Sequence, residues 1–137
     1  PFQNDVVQMD LFKISKEMIT GVEIIDKEHQ EIAEKINLLF SHPKGTLSKA
    51  FIKAAIKDIH DMLEKHFQTE EQIFLKLGIL ENSVASLEHD SILKSLDNFI
   101  GDVEKNYFVS DEFKAFVVGT LITHMAMEAK DIKNASI

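Results

Sequence analysis

The chain has 137 residues, 45% of them hydrophobic and 28% charged, a length and balance that fit one globular domain with a buried core. Its formal net charge of −8 argues against a nucleic-acid or anionic-membrane partner, since both need clustered Lys and Arg. The absence of Cys excludes a disulfide scaffold, a zinc finger and a thiolate-held iron–sulfur cluster, so a bound metal must be held by carboxylates and the six His.

Residues 1–18 have weak periodicity and read as an N-terminal arm, and residues 19–137 read as one domain of four amphipathic segments. The first segment spans about Val22 to Phe40, with Val22, Ile25, Ile32, Ile36 and Leu39 at helical steps. Pro43 and Gly45 break it. The second spans about Leu47 to Leu77, with Thr46 or Ser48 as its cap and Gly78 as its stop; Ile52, Ile56, Ile59, Leu63, Ile73, Phe74 and Leu77 carry the period. The third spans about Ser83 to Glu104, capped by Asn82 or Ser83, with Leu93, Leu96 and Ile100 inward. The fourth starts at Ser110 as N-cap, has Asp111 and Glu112 in its first turn, and carries Phe113, Phe116, Val117, Leu121 and Ile132. Five Gly and two Pro leave little for a turn-rich β fold. Short connectors between long helices predict an all-α, antiparallel up-down-up-down four-helix bundle with an N-terminal arm. No run is long and apolar enough for a membrane span and no targeting signal is visible, so a cytoplasmic location is the default. The chain begins at Pro1 rather than Met, as expected of a piece of a longer protein or of added terminal residues.

Each predicted helix carries one His in phase with its apolar residues: His29, His66, His89 and His124. Glu70 follows His66, and Glu128 follows His124, by four residues, one turn plus about 40°, so each pair shares a face. Six ionisable groups pointing into a bundle core are costly without a partner. A metal centre resolves the conflict: four imidazoles with two carboxylates bridging suit two ions of Fe, Mn or Zn. His60, about 120° around the helix from His66, is expected to be solvated, and His42 lies in the turn before Pro43. Glu71, Glu88 and Asp131 read as solvated or supporting groups, with Asp131 able to approach the centre if the fourth helix is irregular.

The pattern resembles the hemerythrin family and its HHE cation-binding domains. Gly21-Val22-Glu23-Ile24-Ile25-Asp26-Lys27-Glu28-His29-Gln30 looks like the family's first-helix motif, and His66-Phe67-Gln68-Thr69-Glu70-Glu71 like its second, His-Phe-x-x-Glu-Glu. His89 and His124 fit the third- and fourth-helix histidines. The resemblance implies two non-haem Fe ions, one at His29 and His66, the other at His89 and His124, bridged by Glu70 and Glu128. The sequence departs from the oxygen carriers at two places. Ala85 stands where they have a second third-helix His, and Ala129 where they have an Asp five residues after the fourth-helix His. The form His124-x-x-x-Glu128 is that of the HHE branch, and Phe12 or Ile14 lies near the position of the family's N-terminal Trp.

With Ala85 in place of a ligand, the resemblance implies open metal positions that admit O2, NO, peroxide or water. Three functions follow as expectations. The leading one is binding of O2 or a related small ligand for sensing, storage or delivery, a binding role rather than an enzymatic one. Fusion to a signalling module, frequent in this family, would favour sensing. The second is a di-iron oxidoreductase acting on peroxide or NO, or an iron donor. The third is an interaction domain that has lost its metal, for which Ala85 and Ala129 speak.

Overall fold

The computed structural model describes residues 11–43, 45–79 and 84–135, and of 84–86 the backbone alone. Among the described residues there is no strand. The helices are α1 (Glu23–Phe40), α2 (Lys49–Leu77), α3 (Val84–Glu104), α4 (Ser110–Phe116) and α5 (Ile122–Ala135), and a π-helical turn, Val117–Leu121, joins the last two into one continuous rod. The segment before α1 holds a short 3-10 turn, Lys16–Met18.

Polar contacts give the helix directions. Glu28 and Lys35 on α1 meet His66 and Asp58 on α2, so residue numbers rise along one helix as they fall along the other. Lys53 and Glu71 on α2 meet Glu104 and His89 on α3 in the same reversed order. Glu88 meets His124, and Phe99 meets Phe113, which runs the fourth rod antiparallel to α3. The result is an up-down-up-down helical bundle.

The helix ends follow local chemistry. At the start of α1, Asp26 folds back: its carboxylate accepts the Thr20 amide and hydroxyl at 2.8 Å each and the Gly21 amide at 3.0 Å. Ser48, not Thr46, caps α2, accepting the Phe51 amide at 3.1 Å, so that helix begins at Lys49 rather than Leu47. Gly78 ends it at φ 74°, the left-handed conformation glycine adopts freely. The Ile79 amide reaches back to the Phe74 carbonyl at 2.9 Å, which completes the stop. Asn106 does the same work after α3 at φ 65°, with the Tyr107 amide on the Asp102 carbonyl at 2.7 Å. Ser110 is the first residue of α4 instead of its cap: the Val109 carbonyl already receives the Glu112 and Phe113 amides, so the flanking position falls one residue earlier. Asn82 and Ser83, the expected caps of α3, lie outside the described residues.

The main core joins Phe12, Met18, Ile32, Ile36, Ile56, Ile59, Leu63, Leu96, Phe113, Val117 and Leu121. Phe12 is pinned as well as buried, its amide donating to Asn37 Oδ1 at 2.8 Å while Asn37 Nδ2 donates to its carbonyl at 2.9 Å. On α3 the inward stripe runs through Ile92, Leu96 and Val103, with Leu93 and Ile100 only half-buried. The expected Leu93 and Ile100 are thus displaced from the stripe's centre, because Ile92, Leu96 and Val103 lie about 20–60° to one side of His89 around the helix, and Leu93 and Ile100 about 20–40° to the other. A second, smaller cluster joins Ile25, Phe74 and Ile132. Along α1, α2 and α5 the stretch between the two clusters is where the inward histidines fall. No helix among the described residues is long and apolar enough to cross a membrane.

Candidate metal centre

Seven of the described residues are buried and polar or charged; one is Thr20, ahead of α1, and the six on helices are His29, His66, Glu70, His89, His124 and Glu128, between these two apolar clusters. One turn of α2 places His66 and Glu70 together, their Nε2 and Oε2 2.8 Å apart; one turn of α5 does the same for His124 and Glu128 at 2.7 Å. His29 on α1 and His89 on α3 close the ring. His29 Nε2 lies 3.5 Å from Glu70 and 3.8 Å from Glu128, and His89 Nε2 lies 3.0 Å from Glu128 and 3.4 Å from Glu70. The two carboxylates therefore stand between two pairs of imidazoles.

The donors divide into two sets of four: His29, His66, Glu70 and Glu128, and His89, His124, Glu70 and Glu128. In each set the donor atoms lie within 4.8 Å of one another. Both sets share both carboxylates. Several of these atoms are buried without a hydrogen-bond partner: both nitrogens of His29, Nε2 of His66, both oxygens of Glu70 and Oε1 of Glu128. Orphaned polar atoms of this kind cost about 1–3 kcal/mol each. Their lone pairs converge from α1, α2 and α5 on common points, as cation ligands do. Imidazole with carboxylate suits Fe, Mn or Zn, so the residues fit a metal centre.

Protonation without a metal shows the same strain. Burial opposes charge on His66, but the Glu70 carboxylate and the Glu28 hydrogen bond outweigh it and push the imidazole up to about 9. Burial and the neighbouring Glu70 charge push Glu128 well above the usual carboxylate range. Glu70 goes the other way: burial opposes its ionisation, yet Glu128 and the His66 and His29 imidazoles hold it well below that range. His124 is lowered, burial prevailing over its hydrogen bond to Glu88.

A second ring of carboxylates surrounds the first. Glu28 meets Nδ1 of His66 at 2.7 Å, Glu71 meets Nδ1 of His89 at 3.1 Å, and Glu88 meets Nδ1 of His124 at 2.8 Å. Glu71 and Glu88 thus act as supporting groups, and Glu28 joins them, a residue whose role the sequence did not reveal. Its only signal was its place beside His29. Phe67 lies flat on His89, ring centroids 3.9 Å apart at 8°, and edge-on to His124 at 5.6 Å. Asp131 is half-buried and its charge contributes to raising Glu128, yet it belongs to neither donor set. His60 stays outside the centre but is half-buried rather than fully solvated, because Asp61 at 3.0 Å and Asp97 at 3.5 Å flank its ring. His42 is exposed and caps the end of α1 through the Leu38 carbonyl at 3.2 Å. Ala129 is fully buried in α5, and the side chain of Ala85 lies outside the described residues.

An up-down-up-down bundle with a buried histidine–carboxylate centre defines a class of metal-binding helical domains. Within that class the chain belongs to the hemerythrin family: the Hemerythrin HHE cation binding domain matches residues 20–135. It is similar to the bacteriohemerythrin of Pseudomonas paraeruginosa, with 26% identity over 106 residues, covering 77% of this chain and 69% of that protein. The same identity and coverage hold for the bacteriohemerythrin of Pseudomonas aeruginosa. That of Stenotrophomonas maltophilia is 22% identical over 105 residues, covering 77% of this chain and 68% of its own. No solved structure matches the chain significantly.

Proposed function

We propose that this is a non-haem di-iron domain that binds O2 or a related small ligand, for sensing, storage or delivery, with His29, His66, His89 and His124 as terminal ligands and Glu70 and Glu128 as bridges. The observation that carries the reading is the convergence of buried imidazole and carboxylate atoms into two donor sets that share both glutamates, with atoms of His29, His66, Glu70 and Glu128 left unpartnered. Each ion would have two imidazoles and a share of two carboxylates from the chain, four donors in all. Iron prefers more, so positions remain for a small exogenous ligand. The bound irons would supply reversible electron transfer to that ligand. The chain's own part is to hold the donors, keep water out with the apolar clusters on either side, and anchor three imidazoles through their Nδ1 atoms. The similarity to bacteriohemerythrins supports iron over Mn or Zn.

The test is metal quantification combined with absorption spectra taken before and after O2 reaches the anaerobically iron-loaded protein. Two irons per chain and a reversible spectral change are expected. Fewer than two irons, or no response to O2, would sink the reading. The same four-donor count also suits a di-iron oxidoreductase acting on peroxide or NO. That reading requires turnover of either substrate that disappears in Glu128→Ala.

A further inference from the structure

The outer carboxylates follow a rule. Each sits next to an inner residue on its own helix and reaches the histidine of the next helix in the chain. Glu28 precedes His29 on α1 and holds His66 on α2. Glu71 follows Glu70 on α2 and holds His89 on α3. Glu88 precedes His89 on α3 and holds His124 on α5. The round stops there. The neighbours of His124 and Glu128 on α5 are Thr123, Met125, Met127 and Ala129, and none is a carboxylate. Correspondingly, Nδ1 of His29 is buried without a hydrogen-bond partner among the described residues. Its ring is held by packing, edge-on to His66 with centroids 4.6 Å apart.

A hydrogen bond at Nδ1 fixes the tautomer that leaves Nε2 free to bind metal, sets the ring's rotation and raises its basicity. Two such anchored imidazoles serve the His89/His124 set, and one serves the His29/His66 set. We propose that Glu28, Glu71 and Glu88 are positioning residues, and that His29 is the loosely held ligand, so that the ion at His29 and His66 leaves and exchanges before its neighbour. This rests on the two-ion reading above and adds an order to it.

The probe is Zn2+, which is diamagnetic and has no redox chemistry. The zinc-loaded chain is challenged with excess chromogenic chelator, and its imidazole N–H protons are followed by NMR. Release is expected in two phases of equal amplitude. Glu28→Gln should speed the fast phase only, while Glu71→Gln and Glu88→Gln should each speed the slow phase by about 10-fold or more, the usual effect of losing such a support. Glutamine keeps the shape, and the Glu71 and Glu88 side chains are 57% and 38% exposed, so folding should survive. In the unmutated protein, three Nδ1 protons should lie strongly downfield and that of His29 should not, a count that needs no variant. Single-phase release from a two-zinc protein overturns the inference and leaves the two-ion reading standing. So does a slow phase that answers to Glu28→Gln, or a His29 proton as far downfield as the other three. Failure to bind two ions overturns both.

Discussion

Glu70 and Glu128 are the two residues whose chemistry is least satisfied without a metal. Both are fully buried; burial and the Glu70 charge raise Glu128, while Glu70 is held low. Substituting Glu128→Gln keeps the shape of the neutral carboxyl and an acceptor for the neighbouring imidazoles, and removes the group that must ionise to bind a cation. We expect that variant to lose metal capacity, read by metal quantification, while its metal-free form melts no lower than the metal-free parent. A lower melting point would show that the carboxylate contributes to stability rather than to binding. The pH dependence of the metal-free fold has a definite sign. His66 and Glu128 both have raised pKa values in the folded state, so the folded chain binds more protons than the unfolded one. The His66 contribution is fully present below about 6.5 and is lost as pH rises through about 9. The lowered Glu70 and His124 act at or below their ordinary values, outside that window. Metal-free stability should therefore fall between pH 6.5 and 9, by at most about 3 kcal/mol from His66, measured as urea midpoints across that range. Metal uptake at pH 7 should release at least one proton per chain, since the ligand form of His66 is neutral. A flat midpoint would contradict the protonation of the centre described above.

At the scale of elements, periodicity and caps made most of the fold readable. His29, His66, His89 and His124 stood in phase with apolar residues, and Ser48 and Gly78 carried the chemistry of a start and a stop. The outer glutamates were not readable in the same way. A residue one step along a helix points about 100° away from its neighbour, and the group it serves lies on another helix, so no spacing within one segment reveals the contact. The π turn was hidden too. Phe113, Val117 and Leu121 recur at steps of four, which in a plain helix would drift about 40° per step. The wider turn, with the Ile122 amide on the Val117 carbonyl, absorbs that drift and keeps all three buried ahead of His124. Nothing in Val117-Val118-Gly119-Thr120-Leu121 announces it. Deleting Gly119 would turn the π turn into plain helix, in which seven residues rotate about 700°, within about 20° of two full turns. We expect helical circular dichroism and the two-ion stoichiometry both to persist; loss of either ion would mean that the turn does more than absorb the drift. Smaller effects belong to the helix ends: Ser48→Ala should cost about 1 kcal/mol for its lost cap. Gly119→Ala, whose added Cβ meets nothing within 4 Å, should be neutral or stabilising by up to about 1 kcal/mol, both read from denaturant midpoints.

Across the whole molecule, α1, α2, α3 and α5 all contribute to one buried point, and the candidate ligands run from residue 29 near the start of α1 to residue 128 on α5. A chain with this layout cannot complete its centre until its last helix has docked. Contacts so far apart in sequence form late, after the local helices and the apolar core have gathered. A metal bound to them would therefore be largely absent from the folding transition state. Its stabilising effect should appear almost wholly as slower unfolding, with the refolding rate nearly unchanged. Stopped-flow unfolding of metal-loaded and metal-free protein in the same denaturant series would separate the two limbs. The bundle would then have a lifetime set by how long the ions stay, and a chelator would act on it as a clock.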